Sequence, residues 1–189
     1  MTQQGKNAID LVLAESLIEL SAKKPIDKIT IKEITDKAGV IRPTFYNHFQ
    51  DKYELIEWII KTELLEPIKP LLNAGMIFEA IVLMLNNITA NSVFYKKALK
   101  LEGTVTFNHI AMKCVCEMFM NIINEKSTGK KSKYRWLTPE VVSTYYAQSL
   151  CFITEGWIAQ GMDDIEPKEM AEAYMYLITR SMDDILSEL

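Results

Sequence analysis

Residues 30–52, TIKEITDKAGVIRPTFYNHFQDK, contain two short helical patterns joined by Ala38, Gly39 and Val40. Thr30 and Glu33 stand three apart, as in a capping box. There the threonine hydroxyl accepts the Glu33 N–H and the glutamate reaches back to the Thr30 N–H. Ile31, Ile34 and Ala38 recur at helical spacing and give the first helix one buried face. Gly39 falls where that helix must end at positive φ, a conformation glycine adopts without a Cβ clash. Val40, Phe45 and Phe49 anchor a second helix over about 41–49, leaving Arg42, Thr44, Tyr46, Asn47 and His48 to point elsewhere. Two helices crossing over a tight glycine turn form a helix-turn-helix, whose second helix fits a DNA major groove.

Residues 38–55, AGVIRPTFYNHFQDKYEL, resemble the recognition segment of the TetR/AcrR family of transcriptional regulators, written AGVSxGTxYxHFxSKxxL. Ala38, Gly39, Val40, Thr44, Tyr46, His48, Phe49, Lys52 and Leu55 all match at fixed spacing. The resemblance implies an all-α chain: a three-helix DNA-binding head over residues 1–52, then a helical sensing and dimerisation body over 53–189. The partner it implies is a double-stranded DNA operator, bound by a homodimer whose two recognition helices lie one turn apart on a roughly palindromic site. Arg42, at the start of the recognition helix, has the guanidinium that binds guanine O6 and N7 together. Thr44 suits a thymine methyl or a phosphate, and Asn47 a base or the backbone. The resemblance assigns Tyr46, His48, Lys52 and Thr30 mainly to phosphates, which set register rather than sequence.

Two residues depart from the family pattern. Ile41 stands where a serine caps the recognition helix. Pro43, within the DNA-facing set, replaces a glycine, stiffening the first turn and removing a backbone donor. Both changes affect the base contacts rather than the fold.

The whole chain bounds these readings. Its 189 residues are 49% hydrophobic and 24% charged, the balance of a water-soluble globular protein long enough for a proper core. Apolar runs stop well short of ~18 residues, so no membrane span is expected. The N-terminus lacks the basic, apolar and small-residue sequence of a signal peptide, which makes the cytoplasm the expected location. Net charge is −4, unfavourable for nucleic acid, but residues 28–52 carry five cations against three anions. A small cationic head on an acidic body suits DNA better than the total does.

Cys114, Cys116 and Cys151 lie in apolar helical patterns and read as buried reduced thiols, with a redox switch as the alternative. With only two histidines, His48 and His109, no metal site assembles. No glycine-rich phosphate loop, nucleophile elbow or His-x-x-x-His pair appears, so no catalytic residues or cofactors are assigned. His109 is expected to hydrogen-bond a carboxylate such as Glu102 or Glu155.

Helices are expected over about 7–22, with Ile9, Val12, Leu13, Leu17, Ile18 and Leu20 as its stripe, and from a second capping box at Asp51 to a break at Pro67. Others are expected over 76–88, 92–99, 104–125, 138–161, where Thr138 starts the helix with Pro139 at its first position, and from Pro167 through Leu186. The tail 1–6 and the basic loop 126–133 read as mobile. In the family it resembles, the last two helices pair with their mates, and a small molecule inside each body changes operator affinity. Met84, Phe94, His109, Met112, Phe119, Tyr145, Phe152 and Trp157 are the candidate cavity residues. Residues 45–60 also resemble a subgroup associated with dihydroxyacetone kinase regulation, in which a protein co-regulator does the sensing. The rival class is a helical small-molecule carrier or sensor with a degenerate DNA-binding head, which Ile41, Pro43 and the acidic balance favour.

Overall fold

Side-chain caps at Thr30, Asp51, Thr138 and Ser181 set four of the helix starts. The structure, a computed structural model, describes residues 3–126 and 132–188, with side chains from residue 8 onward. Helix α1 spans Gln3–Lys23, so part of the tail expected to be mobile is helical. Residues 1 and 2 and most of the loop at 126–133 lie outside the described residues. A single 3-10 turn, Ile26–Lys28, leads to α2, Ile31–Ala38. There the capping box forms as read: the Thr30 hydroxyl accepts from the Glu33 N–H, and the Glu33 carboxylate accepts the Thr30 N–H at 2.9 Å. Gly39 ends α2 at φ 69°.

Helix α3, Arg42–His48, is held by Phe45 and Phe49, both buried. Asp51 caps α4, Lys52–Ile59, accepting from the N–H groups of Tyr53 and Glu54. The reciprocal bond of a capping box is displaced by one residue, because Glu54 accepts from the Gln50 N–H at 2.5 Å.

The expected break at Pro67 does not occur. Helix α4 continues into a π segment, Ile60–Leu65, and then α5, Glu66–Asn73, with Pro67 in its first turn. The π segment re-phases the hydrogen bonds ahead of the proline, the Glu66 N–H donating to the Lys61 carbonyl five residues back. Pro67 also has no N–H to return to the Glu63 carbonyl four residues back. That carbonyl accepts instead from Asn87 Nδ2 at 2.9 Å, while Asn91 Nδ2 binds the Glu63 carboxylate at 2.9 Å.

Helices α6, Ile77–Ala90, and α7, Ser92–Ala98, follow. Together they are apolar enough for a membrane, but they bend by 89° and form core. Among the described residues no single helix is long and apolar enough to cross one. Helix α8, Phe107–Lys126, packs along α9, Pro139–Ala159, which Thr138 caps as read. The final pattern is broken: α10, Pro167–Thr179, ends at Arg180 in extended backbone, and Ser181 with Asp184 caps a separate α11, Met182–Leu186.

Helix α1 turns the expected stripe inward except at Val12: Leu13 and Leu17 are buried, and Ile9, Ile18 and Leu20 pack against the core. Asp10, Ala14 and Ser21 are buried as well, while Val12 is exposed. This helix touches α2, α3, α4 and α7, so it braces the helix-turn-helix against the body.

Candidate nucleic-acid interface

Phe45 and Phe49 lie four apart and turn inward, and Phe49 meets Trp58 of α4 edge-on at 6.3 Å. Their burial leaves the opposite face of α3 to Arg42, Pro43, Tyr46 and Asn47, all exposed, with Thr44 half-buried beside them. Tyr46 is 58% exposed and rests edge-on against Phe45. Arg42, Thr44, Tyr46 and Asn47 have no side-chain hydrogen bond or ion pair among the described residues. No side chain caps α3 at Ile41, which is itself 69% exposed.

The other expected phosphate contacts are engaged within the protein. The His48 ring is 2% exposed and its Nδ1 lies 2.6 Å from Asp10 Oδ1 on α1. An acid 38 positions away thus takes the ring inward. Lys52 Nζ donates to the carbonyls of Ile26, Asp27 and Ile29 at 2.9, 2.7 and 3.1 Å. Those three bonds use all its protons, and burial pulls the ammonium pKa below the usual lysine value although Asp27 opposes the change. Thr30 is exposed, but its hydroxyl proton goes to Glu33. His48 and Lys52 thus serve as internal ties in this structure. Lys37 pairs with Glu19, Lys24 with Glu33 and Lys28 with Asp27, so Arg42 is the principal uncommitted cation of the α3 face.

A second concavity lies inside the body. Ile60, Leu64 and Leu65 of the π segment form one wall, Met84 and Ile88 of α6 another, and Leu150, Cys151 and Ile158 of α9 a third. Its open volume is about 40 Å³. Tyr95 and Thr154 also line it, and neither side-chain oxygen has a hydrogen-bond partner among the described residues.

Comparison with known proteins gives the family and the fold. A family model described as a transcriptional regulator C-terminal region matches residues 76–180, and that of bacterial regulatory proteins of the tetR family matches 15–59. The chain belongs to the tetR family of bacterial regulatory proteins. This TetR-family transcriptional regulator is 26% identical over 152 residues, 79% of each chain, to the HTH-type dhaKLM operon transcriptional activator DhaS of Lactococcus lactis subsp. lactis strain IL1403. Its fold matches that of the solved dihydroxyacetone kinase operon activator DhaS with a TM-score of 0.60 at 20% identity, covering 95% of both chains. Native NalD, described as the secondary repressor of the MexAB-OprM multidrug efflux pump in Pseudomonas aeruginosa, matches with a TM-score of 0.59 at 14% identity, covering 92% of this chain and 96% of its own. These likenesses carry the all-helical fold with its N-terminal helix-turn-helix.

Of the eight candidate cavity residues in this TetR-family chain, only Met84 lines the body cavity. Phe94 is core, packed edge-on against Tyr95 at 5.1 Å. Met112 is half-buried against the core, and Phe119 lies on Tyr146 at 6.2 Å. Trp157 is buried with Nε1 donating to the Ile165 carbonyl at 2.8 Å, while Tyr145 and Phe152 are 64% and 76% exposed. Tyr145 and Phe152 stand seven apart, two helical turns, and both point away from α8. His109 is exposed beside α4, and Glu155 accepts instead from Asn108 Nδ2 at 2.5 Å. Sequence reasoning missed Asp10, Tyr95 and Thr154. Asp10 had a signal, an acid in register with Leu13, Ala14 and Leu17; the other two had none. Cys114 and Cys151 are buried as read, and burial pushes each thiol up to about 12.

Proposed function

We propose that this regulator binds a roughly palindromic double-stranded operator as a homodimer in the cytoplasm, with residues 1–52 as the DNA-facing head and 53–189 as the dimerising and sensing body. One observation carries the reading: the outward face of α3 presents Arg42, Tyr46 and Asn47 without internal partners, on a helix fixed from behind by Phe45 and Phe49. In this reading Arg42 takes a guanine edge, Asn47 a base or the backbone, and Tyr46 and Thr44 the flanking phosphates. Pro43 and Ile41 supply apolar contact at the start of the helix.

The dimer reading rests on α9 and α10. Tyr145, Phe152 and Gly156 form an exposed stripe on α9, and Ala173 and Leu177 another on α10. Apolar stripes of that extent are characteristic of interfaces rather than of monomer surfaces. An effector in the body cavity then acts on operator affinity through its different fit to the two head arrangements. A protein co-regulator is the second source of control, and the name of the DhaS relative, an operon activator, supports testing for activation as well as repression.

The test is anisotropy of labelled duplexes from around the gene, against random duplex, over a range of salt. Saturable, sequence-selective binding that weakens steeply with salt supports the operator reading. Equal binding to random duplex at low salt contradicts it and favours the carrier or sensor class. Phe152→Glu is expected to produce monomers in sedimentation velocity and to lose operator binding.

A further inference from the structure

We propose that the short acidic helix α11 of one protomer seats on the aromatic, basic patch at the start of α9 in a second copy of this chain. The proposal rests on the dimer reading given above and names a reciprocal contact within it.

Residues 126–137 carry five cations and no anion, a denser positive charge than that of residues 28–52. Trp136 is 75% exposed, and Tyr134, Leu137 and Tyr145 are exposed with it. Trp136, Leu137 and Tyr145 line an open cleft along the first turns of α9, with Val141 and Tyr146 beside them. Clustered exposed apolar side chains mark interaction sites, and Trp and Tyr are enriched there. Lys133 and Arg135 stand next to the cleft in sequence and have no ion-pair partner among the described residues.

The patch lies at the pole away from DNA. At one end of α8, His109 shares a cleft with Gln50 and Asp51 of the head, and at the other Lys126 donates to the Leu72 carbonyl at 2.8 Å. Those ends are about 25 Å apart at the helical rise. Helix α9 returns along α8, with Glu155 near its end bound by Asn108. The start of α9 is therefore out of reach of a duplex held by α3.

Helix α11 is the complementary surface. It has no buried residue, Met182 is 76% exposed, and Leu186 is exposed four positions on, along the same face. Asp183 and Asp184 flank that face, and neither is in an ion pair among the described residues. The two surfaces share a level in the fold. Helix α10 runs antiparallel to α9, since Trp157 donates to Ile165 just ahead of α10 and Tyr174 meets Ser149. From Tyr174 to Arg180 is about 9 Å of helix, which brings α11 beside the first turns of α9. No α11 residue lines the cleft of its own chain.

A two-fold axis that sets both heads on one duplex sets both α11 helices and both patches at the opposite pole. The contact is then made twice and continues the exposed α9 stripe of Tyr145 and Phe152. Met182 and Leu186 enter the cleft beside the mate's Trp136, and Asp183 and Asp184 meet its Lys133 and Arg135.

Disulfide mapping in the full chain with Cys116→Ser tests this. One chain carries Trp136→Cys and the other Leu186→Cys. Mixed, allowed to exchange subunits and mildly oxidised, they are expected to give a covalent dimer, and either alone very little. Absence of that product from a dimeric mixture, or equal cross-linking of either variant alone, would overturn the contact. A chain bearing both substitutions should also link between copies, and a disulfide closed within one chain would overturn the exchange. In sedimentation equilibrium Leu186→Asp should raise the dimer Kd roughly 10- to 100-fold, because it acts at two sites. Its circular dichroism should be unchanged, because Leu186 is exposed in the protomer. Arg135→Glu should raise the Kd about threefold, with Asp183→Lys recovering part of the loss; strictly additive effects would overturn the charge pairing. A wild-type dimer whose Kd is indifferent to Leu186→Asp would overturn this proposal alone. A wild-type chain that is monomeric at every concentration would overturn the dimer reading and this contact with it.

Discussion

Lys52→Met separates an internal tie from a DNA contact. The methionine keeps most of the apolar stem and removes the ammonium, which donates to the carbonyls of Ile26, Asp27 and Ile29. A hydrogen bond from a charged donor contributes about 1.5–3 kcal/mol. Three bonds share one half-buried ammonium here, and the Asp27 carbonyl is open to water. Their joint contribution is therefore taken as about 2–3 kcal/mol. For a chain of this size each kcal/mol shifts Tm by about 2–4 °C, so the variant should melt roughly 4–12 °C lower. Urea unfolding followed by circular dichroism should show a lower midpoint at unchanged slope.

The alternative role makes opposite predictions. A lysine bound to phosphate would change stability by less than ~0.5 kcal/mol, as surface substitutions do. Its loss would also reduce the salt slope of operator binding by about one. Lys52→Met should therefore lower Tm and leave the salt slope of the folded protein intact. An unchanged Tm with a reduced slope would refute the tie between α4 and the 3-10 turn, and would return Lys52 to the DNA-facing set.

Three further outcomes follow from the same geometry. Glu33 is held at about 2 by Lys24 and by the Thr30 hydroxyl and N–H. The stability it contributes is present above about 4.5, the ordinary carboxylate value, and is lost as pH falls toward 2. Carboxyl-detected NMR titration should show this, with Thr30→Ala raising the Glu33 midpoint; an unmoved midpoint would count against the box. Asn87→Leu removes the donor to the Glu63 carbonyl and should cost about 1–3 kcal/mol. Adding Pro67→Ala, which restores an N–H at position 67, should recover part of that loss, and a strictly additive double mutant would contradict the compensation. With Cys114 and Cys151 pushed up to about 12, their thiolate fraction at pH 8 is about one in ten thousand. Iodoacetamide should leave both unmodified in the folded protein, and rapid labelling of either would place it at the surface.

The parts of the fold legible in the sequence were those fixed by neighbouring residues. Thr30 with Glu33, Gly39, Thr138 before Pro139, and the Phe45–Phe49 pair each act within one helical turn, and each stands in the structure as read. The misreadings share a cause, which is partners distant in the chain. The internal partners of His48 and Lys52 are likewise out of local reach, Asp10 lying 38 residues from the first and the carbonyls 23–26 residues from the second. Pro67 reads as a helix break because the rescuing Asn87 lies 24 residues from Glu63. The stop at Arg180 carries neither glycine nor proline, so periodicity ran through it. Aromatic residues at helical spacing on α9 do not disclose which face meets α8, so the sequence does not separate the internal cavity from the open clefts that Tyr145 and Phe152 line.

The most direct test of the DNA-reading face is Arg42→Ala in anisotropy titrations with the selected operator and with random duplex. A guanidinium bound to a guanine edge discriminates by about 1–3 kcal/mol, so operator affinity should fall by roughly 5- to 150-fold. Binding to random duplex should fall much less, and Tm should be unchanged because Arg42 has no internal partner. Operator affinity unaltered by Arg42→Ala, in a folded dimer, would contradict the assignment of α3 as the reading helix.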